Sequence, residues 1–100
     1  MNLKVYCVYD CKAENFGMPF VMESRGDALR EWYKAVNTQG NKISEFPADF
    51  TLFEIAEWNK FEGTFSLYPT KLNLGTGVEF VKQLQPVAVD PANNGSLNKE

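Results

Sequence analysis

The sequence predicts an α+β domain in which one amphipathic helix packs on one face of a small, mostly antiparallel sheet of three to five strands. Residues 3–9 and residues 51–58 each show the two-residue alternation of side chains that is typical of a β-strand. Residues 25–37 instead carry apolar positions at helical spacing. A polar loop ending in glycine follows the second alternating stretch, which is typical of a hairpin between antiparallel strands.

The first strand is predicted over residues 3–9. Its side chains alternate between two faces, with Leu3, Val5, Cys7 and Tyr9 on one and Lys4, Tyr6 and Val8 on the other. Because both sets are mainly apolar, we expect this strand inside the sheet rather than at its edge. Residues 10–17 are polar and predict a loop, and Pro19 limits residues 20–22 to a short edge segment.

The helix is predicted over residues 25–37. Ser24 followed by Asp27 resembles a capping box, and Gly40 is a natural stop. One arc of the helix is apolar and predicts the buried stripe, consisting of Ala28, Leu29, Trp32, Tyr33, Ala35 and Val36.

The hairpin is predicted to join a strand at 51–58 to a return strand at 64–68 that Pro69 ends. Residues 74–77 predict a turn whose glycines supply positive φ, and residues 78–81 predict a last edge strand. Strict alternation places Glu54 and Glu57 on opposite faces, so they cannot form a carboxylate pair.

The domain is expected to span residues 1–83, followed by a polar and mobile tail over 84–100. One helix covers only one face of the sheet. We expect the other face, with Tyr6, Val8 and one side of the hairpin, to be covered by residues 38–50, by the tail or by a second copy. The remaining apolar surface predicts a homodimer.

Composition excludes several function classes. With 100 residues the chain makes one domain, and without histidine it lacks His-based nucleophile systems and most zinc sites. No apolar run reaches the length of a membrane span, and the first residues do not form a signal peptide, so we expect the chain to stay in the compartment where it is made. The balance of 10 basic against 13 acidic residues differs from that of a dedicated duplex-DNA binder.

No catalytic group is predicted. Cys7 and Cys11 form a Cys-x-x-x-Cys spacing, but a buried small residue is the simpler interpretation of Cys7 than metal or redox chemistry. The Gly75-Thr76-Gly77 run has neither the lysine nor the long helix of a phosphate loop. We therefore expect no enzyme, no cofactor and no metal.

Basic residues close to aromatic residues are the remaining pattern that indicates a function. A lysine beside a stacking aromatic on a strand is how sheets hold single-stranded nucleic acid, and cations one helical turn apart can contact phosphates. An exposed mixed-charge helix face and a core tyrosine are the plainer interpretations. The candidate nucleic-acid contacts are Lys4, Tyr6, Arg25, Arg30 and Lys34.

Several motifs together resemble a known family. They are VYCVYDCKAE at 5–14, MPF at 18–20, GDALR at 26–30, PADFTLFEIAEW at 47–58 and LGTGVEFV at 74–81. Over residues 3–82 the chain resembles the small nonstructural protein of microviruses, the gokushovirus-type single-stranded DNA bacteriophages. The resemblance implies a nonstructural accessory protein of phage DNA replication that acts in the cytoplasm of the infected bacterium.

Three functions remain open at this point. The chain could be a weak single-stranded DNA binder that uses the five candidate contacts. It could be an adaptor that docks on phage or host replication proteins through a hairpin edge or through Trp58. The third alternative is a dimeric assembly factor that buries the uncovered sheet face.

Overall fold

The computed structural model describes residues 2–82, and the predicted tail lies outside that range. The strands are β1 (Asn2–Asp10), β2 (Asn15–Phe16), β3 (Phe20–Met22), β4 (Phe50–Asn59) and β5 (Thr64–Thr76). The helices are α1 (Arg25–Asn37) and the short α2 (Lys42–Glu45), with 3₁₀ helices at Pro47–Asp49 and Gly77–Phe80. The predicted α+β class is confirmed.

The sheet is antiparallel in all of its pairings. Its strand order is β2-β1-β4-β5, and β3 also pairs with β1. Because β2 and β3 pair with different ends of β1, they share the edge of β1 that β4 does not occupy. The predicted interior position of the first strand and the predicted edge segment at 20–22 are therefore confirmed.

Helix α1 begins and ends at the predicted residues. The Ser24 hydroxyl accepts a hydrogen bond from the Asp27 backbone N–H at 3.1 Å, which satisfies one of the free donors of the first turn. At the other end the Asn37 side chain donates to the Phe80 carbonyl at 2.9 Å and accepts from the Lys82 N–H at 2.7 Å. These contacts hold residues 80–82 against the helix.

The last part of the chain differs from the prediction. Strand β5 continues through Pro69 to Thr76, because residues 68–71 bulge away from β4 and need no ladder hydrogen bond there. The predicted turn at 74–77 is mostly strand, although Gly75 has the expected positive φ of 125°. The predicted edge strand at 78–81 is wrong: Gly77–Phe80 forms a 3₁₀ helix whose first turn is capped by Thr76 and Glu79.

Helix α1 packs on the face of the sheet that carries Tyr6. The core cluster joins helix and sheet residues, namely Tyr6, Ala28, Trp32, Val36, Phe50 and Leu52. The expectation that Tyr6 and Val8 lie on the uncovered face is therefore wrong: Val8 packs against this core, and the face left open carries Val5 and Cys7 instead. Tyr33 also departs from the predicted buried stripe, because it is exposed.

A bulge in β4 changes which side chains share a face. Tyr6 pairs with Glu54 and Lys4 pairs with Glu57, which leaves an extra residue in β4 around Ile55. Tyr6 and Lys4 are two residues apart and share a face, so Glu54 and Glu57 share it as well. The predicted placement of the two carboxylates on opposite faces is wrong, because alternation does not hold across a bulge.

Candidate functional site

Tyr6 was the aromatic candidate for base stacking, and the structure buries it. Its side chain is 0% exposed and stacks on Phe20 with ring centroids 5.8 Å apart. Its hydroxyl is buried with no hydrogen-bond partner among the described residues. Burial first, and then the nearby Glu54 carboxylate, raise the pKa of Tyr6 to about 12. A base cannot stack on this ring in the folded protein, so Tyr6 is a core residue.

Arg25 belongs to a buried polar cluster instead of a free basic patch. Its Nε donates to Glu54 Oε1 at 2.8 Å, and the Tyr68 hydroxyl donates to Glu54 Oε2 at 2.5 Å. The Glu54 side chain is 0% exposed, whereas that of Arg25 is 51% exposed. The cluster therefore ties the start of α1 and the bulge of β5 to the centre of β4.

The ionisation of this cluster follows from its contacts. Burial acts to raise the pKa of Glu54, but the hydrogen bonds from Arg25 and Tyr68 and the charge of Arg25 outweigh it, so the pKa lies below its usual value. Burial, and then the hydrogen bond that Tyr68 donates to Glu54, raise the pKa of Tyr68 well above its usual value. Glu54 is therefore a charged group inside the domain, held by two donors.

The other predicted cations do not gather into one surface. Lys4 forms an ion pair with Glu57 at 3.0 Å. Arg30 lies 3.6 Å from Asp27 on the exposed side of α1, and Lys34 is exposed in the last turn of the same helix. Three of the five predicted contacts, Lys4, Arg25 and Arg30, are thus paired with carboxylates, and Tyr6 is inaccessible.

The face of the sheet opposite α1 presents a different candidate site. We call it the open face, and the strand pairing assigns to it the side chains of Leu3, Val5, Cys7, Tyr9, Phe16, Val21, Thr51, Phe53, Ala56, Trp58, Phe65, Leu67, Asn73 and Thr76. Small residues at its centre are buried between larger neighbours, while Phe65 and Leu67 are 60% and 75% exposed. None of these paired positions within residues 2–82 is Asp or Glu.

Aromatic rings and lysines meet at this face. Trp58 and Phe65 lie across the hairpin from each other with ring centroids 4.8 Å apart. Lys71 Nζ lies 5.3 Å from the centre of the Phe16 ring. At the hairpin tip Lys60 Nζ lies 5.8 Å from the centre of the exposed Phe61 ring. One cation at an aromatic ring thus lies at the open face and a second lies at the hairpin tip.

An apolar hollow lies in the open face near Trp58. It is lined by residues of four separate segments, namely Val5, Pro19, Ile55, Ala56, Phe65 and Leu67. Because its lining is apolar, it suits a methyl-bearing or aromatic group rather than a charged one. The hollow gives the open face shape as well as apolar character.

Comparison with known proteins now adds to this geometry. A family model described as Phage ORF5 protein matches residues 3–80. The chain belongs to the Phage ORF5 protein family. No curated protein and no solved structure matches the chain. The match covers nearly all of the described domain, and it confirms the phage origin that the sequence motifs implied.

The two cysteines of the chain have different surroundings. Cys7 is buried and Cys11 is exposed, and both are free thiols. Burial raises the pKa of the Cys7 thiol, against the charge of Lys71, which makes it a weak nucleophile at neutral pH. Within residues 2–82 no group of three or more potential metal ligands comes together, and no helix there is long and apolar enough to cross a membrane.

Sequence reasoning found only part of the open face of this Phage ORF5 protein. Trp58 was predicted as a partner-binding residue, and it lies on this face beside Phe65. Phe16, Phe61, Lys60 and Lys71 were missed, since none belongs to a periodic run. The available signal was the density of aromatic residues on both sides of the hairpin turn.

Proposed function

We propose that this phage protein is a nonstructural, non-catalytic accessory protein that binds single-stranded DNA on the open face. We further propose that it serves a microvirus and acts in the cytoplasm of the infected bacterium. The observation that carries the DNA proposal is the set of aromatic rings and lysines at a sheet face that has no carboxylate at its paired positions within residues 2–82.

Each part of this surface has a chemical role in holding a single strand. The exposed Phe65, beside Trp58, offers a flat apolar surface on which a base stacks. Lys71 and Lys60 supply the positive charge that the phosphates require. Stacking tolerates any base, so the expected binding is independent of sequence.

The net negative charge of the chain is compatible with a DNA-binding site on the open face. The net charge is -3, but four of the carboxylates responsible lie on the helix side of the sheet or on α1: Glu54, Glu57, Asp27 and Glu31. Exposed charges separated by more than about 10 Å are largely screened at 0.1 M salt. The local sign of the charge therefore decides where a phosphate chain binds, and weak affinity is expected because only a few lysines contribute.

The test is fluorescence anisotropy with a labelled oligothymidylate and a duplex of equal length at two salt concentrations. Phe65→Ala should weaken single-strand binding by about 1–3 kcal/mol, roughly 5- to 150-fold. Lys71→Gln should reduce the slope of log affinity against log salt by about 0.7. Duplex binding should be much weaker, since paired bases cannot stack on the protein.

Matched variants on helix α1 provide the control. Tyr33→Ala removes an exposed aromatic residue and Lys34→Gln removes an exposed lysine, both away from the open face. These variants should bind as the unaltered protein does. If the helix variants and Arg30→Gln abolish binding while Phe65→Ala does not, the DNA site is on the helix. Absence of binding even at low salt would refute a DNA-binding role altogether.

The second candidate function is a protein adaptor, which the apolar hollow favours. Aliphatic side chains such as Leu67 and Ile55 contribute to its lining and are better matched to an apolar side chain of a protein than to a nucleotide. In that case Leu67→Ser should weaken binding to a phage or host replication protein, whereas Lys71→Gln should leave it unchanged. A titration with the purified replication initiator distinguishes the two functions.

A further inference from the structure

Strand β5 has a long free edge. The sheet order places β5 at one end, where it pairs with β4 alone among residues 2–82. The opposite border is built from β2 and β3, which are two and three residues long. Short edge strands offer little backbone for pairing, so the outer side of β5 is the edge at which another strand can add.

The first part of this edge has no feature that discourages the addition of another strand. Residues 68–71 leave the β4 ladder and include Pro69 and Lys71, which are features that discourage strand addition. Residues 64–67, by contrast, pair regularly with β4, are all exposed and contain neither charge nor proline. The backbone groups of Thr64–Leu67 that point away from β4 therefore form an uncharged template for a further strand.

This short segment is complementary to itself. If two copies pair antiparallel about a twofold axis at Ser66, Phe65 of each copy lies opposite Leu67 of the other on the open-face side. Thr64 of each copy then lies opposite Tyr68 of the other, and since residues 64–68 carry no charge, no like charges meet in this ladder. Aromatic and aliphatic residues opposite each other are favourable cross-strand pairs.

We propose that two copies of the chain pair through Thr64–Leu67 of β5 and form a twofold dimer with one continuous sheet. Such a contact is isologous, because each copy offers the same segment. The two open faces then form a single surface of twice the length, and their apolar hollows, which both include Phe65 and Leu67, lie on either side of the axis. This dimer leaves the open face accessible, and the inference does not depend on DNA binding.

Cysteine trapping tests the register. In the full chain carrying Cys11→Ser, which removes the exposed thiol, Ser66→Cys places two thiols at the axis, whereas the native Cys7 is buried. Mild oxidation with diamide should convert most of this variant to a disulfide-linked dimer on a non-reducing gel. The matched control, Glu62→Cys, lies in the hairpin turn beyond Thr64. The two copies of Thr64 are already about 14 Å apart in this register, so thiols at position 62 cannot link.

Sedimentation equilibrium without DNA gives a second measurement. The protein should be dimeric at tens of micromolar. Ser66→Lys places two like charges opposite each other at the axis, so the dimer dissociation constant should rise roughly fivefold. Within its own chain the new lysine lies opposite Glu57, so the fold should be preserved. Thr64→Lys adds the same charge away from the axis and should have a smaller effect.

Several results would overturn the inference. A protein that is monomeric at tens of micromolar excludes the dimer. A dimer in which Ser66→Cys and Glu62→Cys link equally, or which Ser66→Lys leaves unchanged, pairs through another surface. A monomer that captures an extended peptide of another protein at β5 assigns the edge to a different partner. The dimer is measured without DNA, so the two proposals can fail separately. A protein that is monomeric but binds DNA in the anisotropy assay refutes only the dimer, and a dimer that does not bind DNA refutes only the proposed function.

Discussion

The buried carboxylate of Glu54 supports the sharpest prediction about stability. Its side chain is 0% exposed and accepts hydrogen bonds from Arg25 and from Tyr68. In Glu54→Gln the charge is lost and an N–H₂ group replaces one of the two accepting oxygens. The Tyr68 hydroxyl can accept from that N–H₂ group, so charge-assisted hydrogen bonds are replaced by weaker neutral ones. The variant keeps the size of the side chain, so the change concerns charge and hydrogen bonding rather than packing.

The magnitude follows from the two contacts. A hydrogen bond to a charged group contributes about 1.5–3 kcal/mol when it is buried. The Tyr68 bond is expected to contribute in that range, whereas Arg25 is 51% exposed and water replaces much of its contribution. We expect Glu54→Gln to lower the free energy of unfolding by about 2 kcal/mol at pH 7. For a domain of this size that corresponds to a fall in Tm of roughly 8–16 °C.

The pH dependence provides an independent check. The pKa of Glu54 is lower in the folded protein than the value of about 4.3 expected for the unfolded chain. Its contribution is therefore complete above that unfolded value and is lost as the pH falls through the folded value. Urea denaturation between pH 7 and pH 2 should show a steeper acid loss for the unaltered protein than for Glu54→Gln.

Glu57→Gln is the matched control, since Glu57 lies on the same strand and the same face. It pairs with Lys4 at a partly exposed position, and its loss should have a much smaller effect on stability at pH 7. Equal losses of stability in the two variants, or a full acid loss in Glu54→Gln, would contradict the role assigned to the buried Glu54 carboxylate.

Three further substitutions should lower stability by amounts set by local geometry, each read from the urea midpoint with an unchanged m value. Ser24→Ala removes the cap on the Asp27 N–H and should cost about 1 kcal/mol; no change would mean that the cap is replaced by water. Gly77→Ala places a Cβ 2.6 Å from the Pro47 carbonyl oxygen and should cost about 1–3 kcal/mol, so a neutral result would contradict the close packing of the two 3₁₀ helices. Leu52→Ala opens a cavity in the core under α1 and should cost about 2–5 kcal/mol, and a loss below 1 kcal/mol would argue against that core.

The sequence predicts well those elements that are determined by interactions between residues close together in the chain. The bounds of α1 follow from the Ser24 cap and the spacing of its apolar residues, which act within one or two turns. The strand at 51–58, the edge segment at 20–22 and the hairpin turn ending at Gly63 also follow from alternation, proline chemistry and glycine at positive φ. In each case the residues that determine the element lie inside it or next to it.

The candidate site depended on contacts between distant segments. Both faces of β1 are mainly apolar, so alternation could not say which one meets the helix, and Tyr6 was placed on the wrong side. Trp58 could be selected because a tryptophan is a plausible anchor in any fold. Phe16 and Lys71 could not, because they reach the open face only through pairing across the sheet and through the bulge of β5.

The class of the fold, the helix, the central strand and the phage family can all be read from the sequence. These depend on periodicity, caps and motifs that are complete within short stretches of chain. The burial of Tyr6, the shared face of Glu54 and Glu57 and the continuation of β5 past Pro69 depend on long-range packing and pairing. Tyr6 is buried because α1 packs on its face of the sheet. The other two features arise from bulges, which insert residues into a ladder and break the alternation that a single strand shows.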